Sequence, residues 1–271
     1  MKKHTLTAGH QVYYSDSGNG NAVVLLHGFA ESGSIWDPQT ASLKDHFRVI
    51  VPDLPGSGES TMQVMGSEYP TMEDHASIIR NILDAENIGR VTLIGHSMGG
   101  YITLAFAEKF PERLQGIGLV HSTAMPDSEE KKSFRLRSIE FMDTNGAAVF
   151  LSEAIPKLYG GTFRKEFPEQ VRLHVAESSA QFNTAALGNY YRAMMQRPDR
   201  RTVLKEFNGP VLMIAGEDDM TIPLQESLAQ CHLPKECHVH ILKDVAHMGM
   251  REKPEIMNRD LREFLLHVNR H

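Results

Sequence analysis

One serine lies in a setting that suits nucleophilic chemistry. Ser97 is the centre of Gly95-His-Ser-Met-Gly99, between a strand pattern over 90–94 and a helix pattern over 100–110. At such a junction the serine is held in a sharp turn that exposes its hydroxyl, and the outer glycines avoid clashes that a Cβ would cause. The first N–H groups of the helix favour a nearby anion. The segment therefore predicts a nucleophile and half of an oxyanion hole.

The predicted nucleophile needs a base, because a serine hydroxyl is weakly nucleophilic at neutral pH. In an open parallel sheet, chemical groups gather in loops at the carboxyl ends of strands. Among fourteen histidines, His27, His96, His121 and His247 occupy such positions. We expect His27 to shape its turn, His96 to face away from Ser97, and His121 to border the pocket. His247, after the last predicted strand, is the predicted base.

The base in turn needs a carboxylate that orients it. The apolar run 210–215 is followed by three acids, Glu217, Asp218 and Asp219. Ordinary solvation accounts for two of them, and the third could accept a hydrogen bond from His247 and stabilise its protonated form. The residues alone do not decide which of the three has this role.

Alternating strand and helix patterns predict the scaffold. Continuously apolar runs are typical of a parallel sheet buried on both faces, and they occur at 22–26, 48–52, 91–95, 116–121, 210–215 and 238–242. Helical patterns cover 34–44, 71–87, 98–110, 223–230 and 254–268. Thr71 with Asp74 resembles a capping box, and Pro223 and Pro254 suit first-turn positions. Alternating runs at 5–8 and 11–15, joined at Gly9 and His10, predict an opening hairpin. We therefore expect an α/β fold with a mostly parallel eight-stranded sheet and helices on both faces.

The alternation stops between about 124 and 206, where helical patterns occur near 128–143, 145–158, 166–180 and 183–197. We predict a helical cap at 124–206, inserted into a core formed by 1–123 and 207–271. Most apolar cap residues must hold the cap together, and a few line a pocket. Tyr190 and Met194 of the cap, with His121 and Met248 of the core, are the predicted pocket residues.

Composition argues against several other classes of protein. The net charge of −6, without a basic run, argues against a nucleic-acid partner. The longest apolar run, 22–26, is too short to span a membrane, and the two lysines at the start are not followed by a secretory signal. We therefore expect a cytoplasmic protein.

The spacing of Cys231, Cys237 and His238 does not match a zinc knuckle. We predict reduced thiols, no metal and no cofactor, and the sequence does not indicate an oligomeric state.

Five segments together resemble the α/β-hydrolase family, in its serine-nucleophile, capped, esterase-like branch. They are Leu26-His-Gly-Phe29, the stretch 53–60, Gly95-His-Ser-Met-Gly-Gly100, the turn 216–223, and Ala246-His247 ahead of Glu252-Lys-Pro254. Their order along the chain is that of the family. One departure is Ala246, where the family usually has glycine. We expect it to be tolerated if its φ is negative.

The resemblance implies roles for single residues. It implies a triad of Ser97, Asp219 and His247, with Asp219 rather than Asp218 because of its position before Pro223. It also implies an oxyanion hole formed by the N–H groups of Phe29 and Met98, and a structural role for the turn 53–60.

The implied reaction is a two-step acyl transfer on a small-molecule substrate. We expect a carboxylic ester or thioester with an apolar acyl group of short to medium length. Two alternatives stay open. One is hydrolysis of a carbon–carbon bond beside a carbonyl, as in ring-cleavage-product hydrolases. The other is a small-molecule receptor that keeps the triad without turnover. The serine argues against the dehalogenase and epoxide-hydrolase branches, which use aspartate at this position.

Overall fold

The computed structural model describes residues 1–7, 10–60 and 70–270. The strands are β1 Lys2–Thr7, β2 His10–Ser17, β3 Ala22–Leu26, β4 Arg48–Pro52, β5 Val91–His96, β6 Leu114–Val120, β7 Val211–Gly216 and β8 Cys237–Leu242. The α-helices are α1 Asp37–Leu43, α2 Met72–Ala85, α3 Met98–Lys109, α4 Glu129–Asn145, α5 Ala147–Ala154, α6 Gly161–Glu166, α7 Pro168–Gln181, α8 Thr184–Gln196, α9 Arg201–Glu206, α10 Leu224–Leu228, α11 Gly249–Glu252 and α12 Pro254–Val268. Short 3₁₀ turns cover Gly33–Trp36, Pro111–Arg113 and Ile155–Leu158.

The strands form one eight-stranded sheet in the order β1-β2-β4-β3-β5-β6-β7-β8. β2 is antiparallel to β1 and β4, and the remaining neighbours are parallel. This confirms the predicted mostly parallel sheet. His10 begins β2, and the predicted turn residues Ala8 and Gly9 lie outside the described residues.

Helices cover the sheet and explain why its central strands are buried throughout. Every residue of β5 and of β7 is buried. Helix α3 packs on β5 and β6 and against α2, while α1 packs against α12. The run 238–242 was expected to be buried on both faces, but β8 is an edge strand, so Val239 and Ile241 are exposed.

Local sequence signals set several helix ends. Thr71 and Asp74 form the predicted reciprocal capping box at the start of α2, and Pro254 occupies the first turn of α12. Pro223 is instead the N-cap residue of α10. The short helices α6, α9 and α11 were not predicted, because a stretch of four to six residues is too short to display a helical period.

Helices α4 to α9 lie between β6 and β7 in the chain and bond to loops beside the sheet. The Tyr190 hydroxyl donates to Pro55 O at 2.8 Å, and the Ser178 hydroxyl donates to Ala30 O at 2.9 Å. The division into a core of 1–123 and 207–271 and a cap of 124–206 stays a prediction. Among the described helices, none is both long and apolar enough to cross a bilayer.

Candidate active site

Ser97 occupies a strained turn between β5 and α3. Its φ is 49° and its ψ is −114°, a conformation that side-chain-bearing residues rarely adopt. Hydrogen bonds hold the turn, because Ser97 N–H donates to Val120 O at 2.9 Å and the Ser122 hydroxyl donates to Ser97 O at 2.7 Å. A Cβ on Gly95 would overlap the backbone of Gly99. The sharp strand-to-helix turn at Ser97, called the elbow below, is therefore present, and Gly95 occupies a position where a larger residue would clash.

His247 lies against Asp219 in the loops after β8 and β7. His247 Nδ1 is 2.8 Å from Asp219 Oδ2. The other carboxylate oxygen accepts hydrogen bonds from the N–H groups of Thr221 and Ile222, at 2.8 and 2.9 Å. Asp218, the alternative acid, is exposed. The geometry therefore pairs Asp219, rather than its neighbour, with His247.

Asp219 is ionised, and this determines which ring nitrogen of His247 carries a proton. Burial alone would raise the pKa of Asp219, but the charge of His247 and hydrogen bonds from His121 and His247 outweigh burial and hold that pKa well below its usual range. Since an ionised carboxylate only accepts hydrogen bonds, His247 Nδ1 must carry a proton. In neutral His247, Nε2 is then the nitrogen with a free lone pair.

His121 is a second donor to the same carboxylate. Its Nδ1 lies 3.2 Å from Asp219 Oδ2, and its φ is 48°. Burial lowers the pKa of His121 to about 4, so the ring is neutral at neutral pH. The expectation that His121 borders the pocket is not met. Its side chain supports Asp219 instead.

A half-buried glutamate, Glu252, organises the loop that carries His247. Glu252 Oε1 accepts the N–H groups of Ala246 and Met248, at 3.1 and 3.2 Å, and Oε2 accepts that of Gly160 at 2.8 Å. Ala246 is not among the described residues with positive φ, so the alanine fits where the family usually has glycine. Glu252 belongs to the last segment that resembles the family, but the resemblance implies no role for its side chain.

Ser97 and His247 line one cavity of about 540 Å³. Phe29 of the loop after β3 and Met194 and Tyr191 of α8 also line it. Among the described residues, no hydrogen bond joins the Ser97 hydroxyl to the His247 ring. Such contacts often tighten only when substrate binds.

The structure brings one of the four predicted pocket residues to this cavity, Met194. Tyr190 is 1% exposed, and its hydroxyl is bonded to the turn at Pro55. Met248, the residue after His247, is fully buried, and His121 contacts Asp219. These three side chains are not in the cavity lining, because helical and strand patterns indicate burial without indicating which surface a side chain is buried against.

The two predicted oxyanion donors flank the elbow. Met98 is the first residue of α3, where helix geometry leaves the N–H without an intrahelical acceptor. Phe29 lines the cavity, and the preceding Gly28 lies so close to the elbow that a Cβ on it would be 3.2 Å from the Ser97 Cβ. The turn 53–60 has no contact with the cavity, and His27 Nε2 accepts the Leu54 N–H at 3.0 Å, consistent with structural roles for both.

Two clusters among the described residues bring three possible metal ligands together. One consists of His121, Asp219 and His247, whose nitrogens already donate to the carboxylate. The other consists of Glu236, His238 and His267 at the surface beside β8. The thiols of Cys231 and Cys237 are free.

Comparisons with known proteins agree with this fold. Residues 21–185 match the family model for the alpha/beta hydrolase fold. A protein of Pantoea ananatis, provisionally named as the carbamate hydrolase RutD, is 32% identical over 220 residues, 78% of each chain. The 2-hydroxy-6-oxo-6-phenylhexa-2,4-dienoate hydrolase of Comamonas testosteroni is 27% identical over 266 residues, 94% of this chain and 91% of that one. A thermophilic esterase of Thermogutta terrifontis, solved with malate bound, superposes with a TM-score of 0.92 at 30% identity over 99% of both chains. The chain belongs to the α/β-hydrolase fold family and is a hydrolase.

Proposed function

We propose that this hydrolase cleaves a carboxylic ester or thioester with an apolar acyl group of short to medium length, through an acyl-enzyme on Ser97. The observation that carries the proposal is the convergence of a strained serine and an Asp219-bound His247 on one cavity. A nucleophile, a base and an orienting carboxylate in this series are the parts of a serine-hydrolase triad.

In the proposed first step, Ser97 Oγ attacks the substrate carbonyl carbon while His247 Nε2 takes the hydroxyl proton. The N–H groups of Phe29 and Met98 stabilise the negative charge on the carbonyl oxygen, an effect of roughly 3 kcal/mol per donor in comparable sites. His247 returns the proton to the leaving alcohol or thiol as the carbonyl re-forms. Water then repeats the sequence on the acyl-enzyme, releasing the acid and restoring the serine. Asp219 stabilises the imidazolium in both steps.

The cavity lining supports an acyl group that is largely apolar. Phe29 and Tyr191 stack with ring centroids 4.2 Å apart, and Phe150 meets Phe29 edge-on at 6.5 Å. Met194 and Leu158 extend this apolar wall. Arg135 also lines the cavity, but it is paired with the buried Asp127 at 2.6 Å. Beside the rings of Phe29, Phe150 and Tyr191, these contacts favour an uncharged acyl chain.

A second candidate is hydrolysis of a carbon–carbon bond beside a carbonyl. The full-length similarity to the Comamonas testosteroni hydrolase favours it. The same three residues would serve, with His247 protonating the carbon leaving group. A receptor that keeps the triad without turnover is the third candidate, and no contact in the described residues favours it over the other two.

The test is a substrate panel. We expect p-nitrophenyl esters of two- to eight-carbon acids, or the matching thioesters, to be cleaved faster than ring-opened dienolic diketones. Ser97→Ala should lower kcat/KM by about a thousandfold or more. The matched control is Ser152→Ala, because Ser152 is exposed on α5. Preferential cleavage of the diketone would establish the second candidate, and full ester hydrolysis by Ser97→Ala would overturn the serine mechanism.

A further inference from the structure

A second acid–histidine pair lies beside the first, and no sequence motif indicates a role for its acid. Glu31, in the loop after β3, places Oε2 3.0 Å from Nδ1 of His96, the residue before Ser97. The other ring nitrogen, Nε2, is 3.0 Å from the backbone oxygen of His247. We propose that Glu31 and His96 form a buried carboxylate–imidazolium pair that positions the backbone of His247 and the turn at Gly28 relative to the serine.

The hydrogen-bond partners of His96 require two ring protons. A backbone carbonyl has no hydrogen to donate, so the nitrogen facing His247 O must be the donor. The other ring nitrogen, Nδ1, faces Glu31 Oε2, which already accepts the Gly28 N–H at 2.6 Å. With Glu31 ionised, this oxygen is an acceptor only. A neutral imidazole has one N–H and could satisfy only one of these two contacts, whereas an imidazolium satisfies both.

The charges of the two groups support each other. Burial alone would raise the pKa of Glu31, but the charge and hydrogen bond of His96, with smaller contributions from His174 and the Gly28 amide, lower it to about 2. Burial alone would lower the pKa of His96, but Glu31 and the His247 carbonyl raise it above its ordinary value. Glu31 is 4% and His96 1% exposed, so solvent screens their attraction very little.

Other titratable or charged groups lie near the pair. They are His27, His121, Tyr159, His174, Glu177, Asp219, His247 and Arg251. Burial lowers the pKa of His27, and it lowers those of His121 and His174 to about 4, so these three rings are neutral at neutral pH. Two buried carboxylates, Glu31 and Asp219, therefore share this region. The imidazolium of His96 is the positive charge that balances one of them.

The pair joins three loops that the proposed chemistry needs in register. Glu31 holds Gly28, the residue before the proposed oxyanion donor Phe29. His96 is covalently attached to Ser97 and bonded to the backbone of His247. A shift of about 1 Å in such a constellation costs about a hundredfold in rate. The catalytic consequence rests on the proposed function, whereas the protonation state of His96 does not.

Nuclear magnetic resonance of the ¹⁵N-histidine-labelled wild-type protein tests the protonation state without any substitution. With His96 assigned through its backbone, we expect both ring nitrogens to show the shift and the one-bond N–H coupling of protonated nitrogens at about pH 8, above the ordinary histidine pKa. In Glu31→Gln the same ring should be neutral at that pH. One unprotonated ring nitrogen in the wild type would overturn the proposal, whatever the enzyme hydrolyses.

Two substitutions of His96 separate its two bonds. The amide nitrogen of asparagine lies near the position of Nδ1 and that of glutamine near the position of Nε2. His96→Asn therefore keeps the donor to Glu31, and His96→Gln keeps the donor to the His247 carbonyl. With the best substrate of the panel, we expect His96→Asn to lower kcat by about 10- to 100-fold with KM changed much less, and His96→Gln to lose several-fold less.

The control is His238→Gln, which removes the histidine of a surface pair whose Nε2 is also 3.0 Å from a glutamate, Glu236. It should keep wild-type kcat. Equal losses in the two His96 variants would overturn positioning through the His247 carbonyl. If neither variant folds, the spectrum of the wild-type protein still decides the protonation claim.

Discussion

Two cavities of similar volume lie at opposite edges of the sheet. One, of about 540 Å³, lies at the carboxyl edge and is lined by Ser97 and His247. The other, of about 610 Å³, lies at the amino edge, where Arg90, Leu114 and Pro210 stand at or next to the starts of β5, β6 and β7. Among the described residues that line the amino-edge cavity there is no serine, histidine or cysteine. The larger cavity therefore offers space without a serine–histidine pair.

The two edges also differ in backbone strain and in buried acid–histidine pairs. Of the five described non-glycine residues with positive φ, four follow carboxyl ends of strands: Ala30, Ser97, His121 and Asp244. The buried pairs Glu31–His96 and Asp219–His247 lie at the same edge. Strained residues and desolvated charges persist only where the surrounding structure holds them, and they concentrate at functional sites. Convergent, strained and charged groups therefore identify this site better than cavity volume does.

The largest effect on activity should come from replacing the carboxylate that is bonded to His247 at the carboxyl edge. Asp219→Asn would present an amide to His247 Nδ1 and favour the wrong tautomer, so kcat should fall by about 10³- to 10⁴-fold. Asp218→Asn is the matched control, because Asp218 is exposed. Steady-state kinetics on one ester would measure both. Similar losses in the two variants would remove the distinction between these acids.

A large effect on stability should come from the second buried pair. The pKa of Glu31 is about 2 in the folded protein, against 4.5 for an ordinary glutamate. Its ionic contribution is therefore fully present above pH 4.5 and is lost as the pH falls toward 2, an amount on the order of 3 kcal/mol. Urea unfolding should show Glu31→Gln less stable than wild type at neutral pH, with the difference shrinking between about pH 4.5 and 2. A difference that does not change with pH would contradict the ionic account.

A smaller effect should separate a residue that lines the cavity from its buried neighbour. Met194→Ala enlarges the carboxyl-edge cavity and should shift the preferred ester toward longer acyl chains, by roughly 10-fold in relative kcat/KM. Tyr190→Phe removes the hydrogen bond to Pro55 and should cost about 1 kcal/mol of stability without changing the acyl preference. A change of acyl preference in Tyr190→Phe would show that Tyr190 contributes to the pocket.

The smallest effect should come from the amino-edge cavity. Thr202 lines it and is exposed. Thr202→Val should leave kcat and KM within about twofold of wild type and stability within about 0.5 kcal/mol, because it touches no part of the proposed machinery. A tenfold loss of activity would show that the two edges are coupled and would weaken the contrast between them.

Much of the scaffold and the candidate residues of the site could be predicted from sequence. Continuously apolar runs predicted the parallel sheet, and the strand–turn–helix context indicated Ser97 as the candidate nucleophile. Position after a strand reduced the fourteen histidines to four candidates, of which His247 follows the last strand. Asp219 was separated from Asp218 only by the family resemblance, since both follow β7 closely. Burial in three dimensions makes that distinction directly.

Other features could not be predicted, because they depend on contacts between distant loops. Glu31 is a single acid in a loop, and nothing local indicates that it meets His96, which is 65 residues away. His121 was recognised as following a strand, but which of two directions its ring takes is decided by a positive φ and by Asp219. The apolar pattern of the cap predicted that Tyr190 is buried. It did not indicate that the side chain bonds to the turn at Pro55 instead of lining the cavity.

The most direct test of the central claim is covalent labelling with an alkyl fluorophosphonate, followed by peptide mass spectrometry. The account predicts one adduct per chain, on Ser97, formed rapidly by the native protein and far more slowly by His247→Gln or by the unfolded chain. An adduct on another residue, or labelling of Ser97 that does not depend on His247, would contradict it.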